Sequence, residues 1–159
     1  MQAAIIYGSK SDAPIMKKAA DVFREFGITF SSHVLSAHRV PELLSKTLEK
    51  MEAEGIKVII AGAGLAAHLP GVIASQTIVP VIGVPIASGG LGGLDALLSI
   101  VQMPKPIPVA AVGVDNAANA AYLAAEILAQ SDSNLQQKLM DFRKKMKVEF
   151  AQENEGENL

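Results

Sequence analysis

Residues 57–94 read KVIIAGAGLAAHLPGVIASQTIVPVIGVPIASGGLGGL, and after Lys57 the stretch holds no Asp, Glu, Lys or Arg. A run of this length belongs either in a membrane or in a core. A spanning helix needs about 20 unbroken apolar residues, and Gly62, Gly64, Pro70, Gly71, Pro80 and Pro85 interrupt this one. The stretch therefore reads as two buried strands, KVIIAG and PVIGVP, with a short apolar helix in AAHLPGVIASQ between them. Continuous Val and Ile runs without polar alternation mark strands covered on both faces, and a helix between two strands makes them parallel.

The same alternation extends outward in both directions. Toward the N-terminus, AAIIYG (3–8) is a strand and SDAPIMKKAADVFREFG (11–27) a helix. That helix has Pro14 in its first turn, Met16, Ala19, Phe23 and Phe26 on one face, and Gly27 at its stop. ITFSSHVL (28–35) is a second strand, and VPELLSKTLEKMEAEG (40–55) a helix with Leu44, Leu48 and Met51 on its apolar stripe. Toward the C-terminus, LDALLSIVQM, IPVAAVG and NAANAAYLAAEILAQ follow as helix, strand and helix. Five strands alternating with helices predict an α/β fold with a parallel sheet in the flavodoxin-like order 2-1-3-4-5.

A last helix, about residues 132–150, carries Leu135, Leu139, Phe142, Met146 and Phe150 at spacings of three and four on an otherwise charged surface. It packs either on its own sheet or on a neighbouring subunit. An acidic tail is expected over about 151–159. With 159 residues and no linker-like segment, the chain is expected to form one domain over 1–159.

Composition narrows the partners. The chain is 50% hydrophobic and 19% charged, with a formal charge of −2. Average soluble domains are about 25% charged, so part of this surface is expected to be hidden against further copies of the chain. A nucleic-acid backbone or an anionic membrane is disfavoured, because there is no basic field to hold it. Cysteine is absent, which excludes disulfides, thiolate metal sites and a cysteine nucleophile. The start, MQAAIIYGSK, lacks the basic and long apolar segments of a signal peptide, so a cytoplasmic location is expected.

In a sheet of this order, ligands bind beyond the carboxyl ends of the strands, so the loops there decide the chemistry. The first loop offers Gly8, Ser9, Lys10, Ser11 and Asp12. Hydroxyls and backbone N–H groups suit a phosphate and a carboxylate suits sugar hydroxyls, yet the same residues make an ordinary helix cap. The second loop, SAHRV (36–40), sets His38 beside Arg39. Arg39 has a planar fork of donors for phosphate, and His38 can give and take a proton near neutral pH, or simply pack.

The third loop, GAGLAAHLPG, brings small residues and His68. Gly62, Gly64 and Ala67 match the dinucleotide pattern G-x-G-x-x-A, but no acidic residue for a ribose occurs between Glu54 and Asp95, which argues against a nicotinamide enzyme. His33 falls inside the second strand and reads as a packing or interface residue. Three dispersed histidines lack metal-ligand spacing. A receiver-type Asp is missing after the third strand, where Ala61 and Gly62 stand. The aromatic walls a flavin wants are missing too, with no Trp and only Tyr7 and Tyr122. Residues 83–93 hold five of the thirteen glycines and form either a flap over the site or a close contact between subunits.

Taken together, GSKSD, SAHR, AGAGLAAHLPG and LLSIVQMP resemble the class I N5-carboxyaminoimidazole ribonucleotide mutases of purine biosynthesis, over about residues 3–145. The resemblance implies a three-layer α/β/α subunit in a homo-octamer, with the C-terminal helix packed on neighbours. It also implies an isomerase that moves a carboxyl group from an exocyclic nitrogen to ring carbon 4 of an aminoimidazole ribonucleotide, without organic cofactor or metal. By the same resemblance His38 matches the general acid/base, Ser9 and Arg39 the phosphate ligands and Asp12 the ribose contact. Ser11, Ser36, Gly64 and His68 match positions lining the pocket. The SAHR and AAHLPG wording favours class I over the related carbon-dioxide-dependent carboxylases. The chain departs from the usual text at Ala87, within Gly89–Gly93, and at Val40.

Overall fold

The computed structural model describes residues 1–154. Five parallel strands, β1 (Ala3–Tyr7), β2 (Phe30–Val34), β3 (Val58–Gly64), β4 (Val81–Ile86) and β5 (Ala110–Ala111), form one sheet in the order β2-β1-β3-β4-β5. The expected order is the observed one. The helices are α1 (Ala13–Phe26), α2 (Pro41–Ala53), α3 (Leu69–Ala74), α4 (Leu94–Val101), α5 (Ala117–Ala129) and α6 (Ser133–Glu153). A 3₁₀ turn, Lys10–Asp12, leads into α1, and another, Gly89–Leu91, precedes α4.

Successive side chains of a strand point to opposite faces, and each strand feeds two cores accordingly. Ile5, Ile60 and Val84 pack under α1, α5 and α6 with Met16, Phe23 and Phe26. Ile6, Ile59 and Ala61 pack under α2, α3 and α4 with Leu44, Leu48, Ile73 and Ile100. The alanines of α5, at 117, 120, 121, 124 and 125, are fully buried and keep that helix close to the sheet and α1. Gly27 ends α1 in the left-handed conformation, φ 72°, as a C-terminal glycine should.

Two elements differ from the sequence reading. The fifth strand was expected across IPVAAVG, but only Ala110 and Ala111 pair regularly with β4. It is an edge strand whose first half contains Pro108, and proline has no N–H for the ladder. The last helix runs on to Glu153, three residues into the expected acidic tail; residues 155–159 of that tail lie outside the described residues. The first turns of α6 bury Leu135 and Leu139 and set Phe142 against Phe26 and Tyr122, with ring centroids 5.5 and 5.3 Å apart. Its later turns leave Met146, Val148 and Phe150 exposed.

Candidate active site

Strand order reverses at β1, which has β2 on one side and β3 on the other. The loops leaving these strands therefore diverge above the sheet and open a crevice. A cavity of about 570 Å³ lies there, within the roughly 300–1,000 Å³ of small-ligand sites. The β1 loop contributes Ser9, Ser11 and Asp12, and the β2 loop Ser36, His38 and Arg39. The β3 loop contributes Gly64 and His68. All eight residues singled out in the sequence thus line one cavity.

The β1 loop is a capping box. Ser9 Oγ accepts from Ser11 N, and Ser9 N donates to Asp12 Oδ2 at 3.1 Å. The capping residues are therefore also cavity-lining residues, with the cap fixing where their polar groups point. Asp12 is the only charged or polar residue buried among the described residues. Burial pushes its carboxyl above the usual range, opposed by the Ser11 hydroxyl, the Ser9 N–H and the Arg39 guanidinium.

Residues 36–40 close a turn in which Val40 N donates to Ser36 O at 3.0 Å. From that turn Arg39 reaches back to donate to the Gly8 carbonyl at 2.7 Å, tying the second loop to the first. His38 turns toward the third loop, where its Nε2 lies 2.7 Å from His68 Nδ1 with the rings nearly perpendicular. The two neighbours thus turn to different loops. His33 lies outside it on β2, opposite Ile6, with burial pushing its imidazole below the ordinary value. Among the described residues no three His, Cys, Asp or Glu side chains cluster as a metal site, and no helix is long and apolar enough to cross a membrane.

The glycines of the third loop have packing reasons. A Cβ on Gly62 would lie 2.4 Å from Met16 Sδ, and one on Gly64 would lie 2.2 Å from Ser88 Oγ. Ser88, at the end of β4, lines the cavity and was missed in the sequence. Its signal was available, as a lone hydroxyl at a strand's carboxyl end before glycines. From LLSIVQMP, Met103 packs over Gly71, where a Cβ would come 2.9 Å from its sulfur; none of that motif lines the cavity.

Comparison with known proteins places the chain in a family. The sequence profile of the AIR carboxylase family matches residues 2–149. The chain is 57% identical over 143 residues to the N5-carboxyaminoimidazole ribonucleotide mutase of Pyrococcus horikoshii, covering 90% of this chain and 81% of that protein. It is 54% identical to the Escherichia coli K12 mutase, over 89% of this chain and 85% of that one. The crystal structure of Treponema denticola PurE superposes with a TM-score of 0.91 at 26% identity, covering 99% of both chains. By its sequence along nearly its whole length, and by its sheet, this chain belongs to the AIR carboxylase family.

Proposed function

We propose that this chain isomerises N5-carboxyaminoimidazole ribonucleotide to 4-carboxy-5-aminoimidazole ribonucleotide in purine biosynthesis. The observation that carries the reading is the meeting, in one cavity, of an imidazole pair with a guanidinium and serine hydroxyls. Arg39 and Ser9 hold the phosphate, Asp12 receives the ribose hydroxyls, and His38 works on the base. Ser11, Ser36, Gly64 and His68 complete the walls.

The chemistry needs little more. The bond between the exocyclic nitrogen and the carboxyl carbon breaks, its electron pair stays on nitrogen, and carbon dioxide is freed. His38 supplies the proton that nitrogen gains. Ring carbon 4, made nucleophilic by the adjacent amine, then attacks the retained carbon dioxide. His38 takes the carbon-4 proton, which restores the aromatic ring and the starting protonation state. Binding the distant phosphate converts the second step into a reaction between neighbours. No step calls for a metal or an organic cofactor.

The test is a pair of assays: N5-carboxy substrate without bicarbonate, and the uncarboxylated ribonucleotide with it. Product from the first alone is expected. Product from the second alone would identify a carbon-dioxide-dependent carboxylase, and product from neither a nucleotide-binding module without catalysis. The names of its relatives favour the first. We also propose one domain over 1–159, a cytoplasmic location, and a homo-octamer in which α6 packs on neighbouring subunits. The exposed Met146, Val148 and Phe150 support that last part.

A further inference from the structure

Leu65 is the first residue after β3 and lines the cavity, yet it is 55% exposed and holds a φ of 56°. An L-residue with a branched side chain adopts the left-handed region only at a cost, and exposure of an apolar side chain adds another. The turn that Ala67 N closes by donating to Gly64 O at 3.1 Å sets this backbone, but it gives the exposed side chain no apolar cover. What Leu65 does touch is the glycine-rich segment after β4. Its Cδ2 stands 3.0 Å from where a Cβ on Gly89 would be, and Gly89 itself has a φ of 71°.

That segment is fixed at its base and open at its tip. Ala87 N donates to Asp115 Oδ1 at 2.9 Å, and a Cβ on Gly93 would collide with Val114 and with the Ala87 backbone. Cβ atoms on Gly90 or Gly92 would meet nothing within 4 Å, and Leu91 between them is 66% exposed. Segments built this way, with immobile ends and glycines between, can swing as a unit.

The geometry points to Leu65 as a latch. Its side chain borders both the cavity and the 88–93 segment, whose Ser88 lines the same cavity, and when the tip of that segment folds down over a bound nucleotide, Leu65 closes the apolar side of the chamber. The inference rests on the mutase reading and deepens it. Between the two chemical steps free carbon dioxide must stay beside carbon 4. A small apolar molecule escapes through any gap in the wall, and an apolar side chain at the rim seals that gap without offering water a partner. Leu65 is thus a positioning residue for the intermediate and makes no bond to the reacting atoms.

The experiment follows the carbon. N5-carboxy substrate labelled with carbon-13 in the carboxyl group is turned over in buffer holding unlabelled bicarbonate. Two readouts are taken: label retained in the product, and uncarboxylated ribonucleotide left behind by escaped gas, after subtracting enzyme-free decay. Wild-type enzyme retains the label. Leu65→Ala and Leu65→Gly raise the uncarboxylated by-product about fivefold or more and dilute the label, and Leu65→Met, apolar and of similar volume, restores retention. The glycine variant fits the left-handed backbone, and its melting curve verifies that it is folded. Conversion with retention unchanged in both small variants overturns the latch alone. Failure of wild-type enzyme to convert the substrate overturns the mutase reading and the latch with it.

Discussion

His38 Nε2 and His68 Nδ1 face each other at 2.7 Å across the cavity, from loops that follow different strands. At that separation one proton lies between the two nitrogens, because two donors cannot point at each other. Each ring therefore dictates the other's tautomer. Which ring donates depends on the protonation of both, so a change at His68 is felt by the His38 ring.

His38→Asn should lower turnover by about 10²–10⁴-fold while nucleotide binding stays measurable by calorimetry, since proton transfer is lost and the phosphate grip is not. A variant with more than about a tenth of the wild-type rate would discredit the role. His68→Asn should act more mildly and should move the nitrogen-15 NMR shifts of the His38 ring. Unmoved shifts would mean that the contact does not set the tautomer.

Arg39→Ala should raise KM at least about tenfold with a smaller fall in kcat, because a charge-assisted fork to phosphate is removed. Arg39→Lys should recover only part, since an ammonium cannot bind bidentately. An unchanged KM in the alanine variant would count against phosphate binding there.

Asp12 makes stability depend on pH with a definite sign. Its carboxyl is held above the ordinary 3.8, mainly by burial, so in the window just above 3.8 the folded chain binds more protons than the unfolded one. Stability then falls as pH rises through that window. Denaturant melts of wild type and Asp12→Asn should show the wild type relatively most stable at the acid end, with its advantage shrinking as pH rises. A difference that grows with pH would contradict the burial argument.

Gly64→Ala should destabilise the fold by about 1–3 kcal/mol. The new methyl would lie 2.2 Å from Ser88 Oγ and 3.0 Å from the Ile86 carbonyl oxygen. The hydroxyl can rotate away, but the carbonyl belongs to the paired strand. A melting temperature within a degree or so of wild type would show that the two strands separate more easily than their packing implies.

Leu94, Leu98 and Val101 stand exposed along one side of α4. Light scattering should give a mass of about eight chains of 16.7 kDa each, and Leu98→Glu should reduce it. A monomer at micromolar concentration would remove the proposed assembly.

The sheet order and the three loops that line the cavity were legible because apolar runs, prolines and glycines act locally. Pro14, Gly27, Pro41 and Gly55 punctuate helices through their own backbone preferences. In the uncharged run from Val58 to Leu94 the two strands are buried, while the loops leave Leu65, Ile78, Leu91 and Leu94 exposed. The length of β5 was not legible, since pairing along an edge strand depends on what its neighbour offers.

Sequence by itself determined the family, the parallel sheet and the residue types at the carboxyl ends of its strands, because each follows from neighbours in the chain. Only the tertiary structure decided that His38 meets His68 rather than Arg39's partner, that Ser88 fills the space above Gly64, and that Leu65 leans on Gly89. Those pairings join loops that are 20 or more residues apart in the sequence. Their distances are set by how the strands register across the sheet, which no local preference encodes.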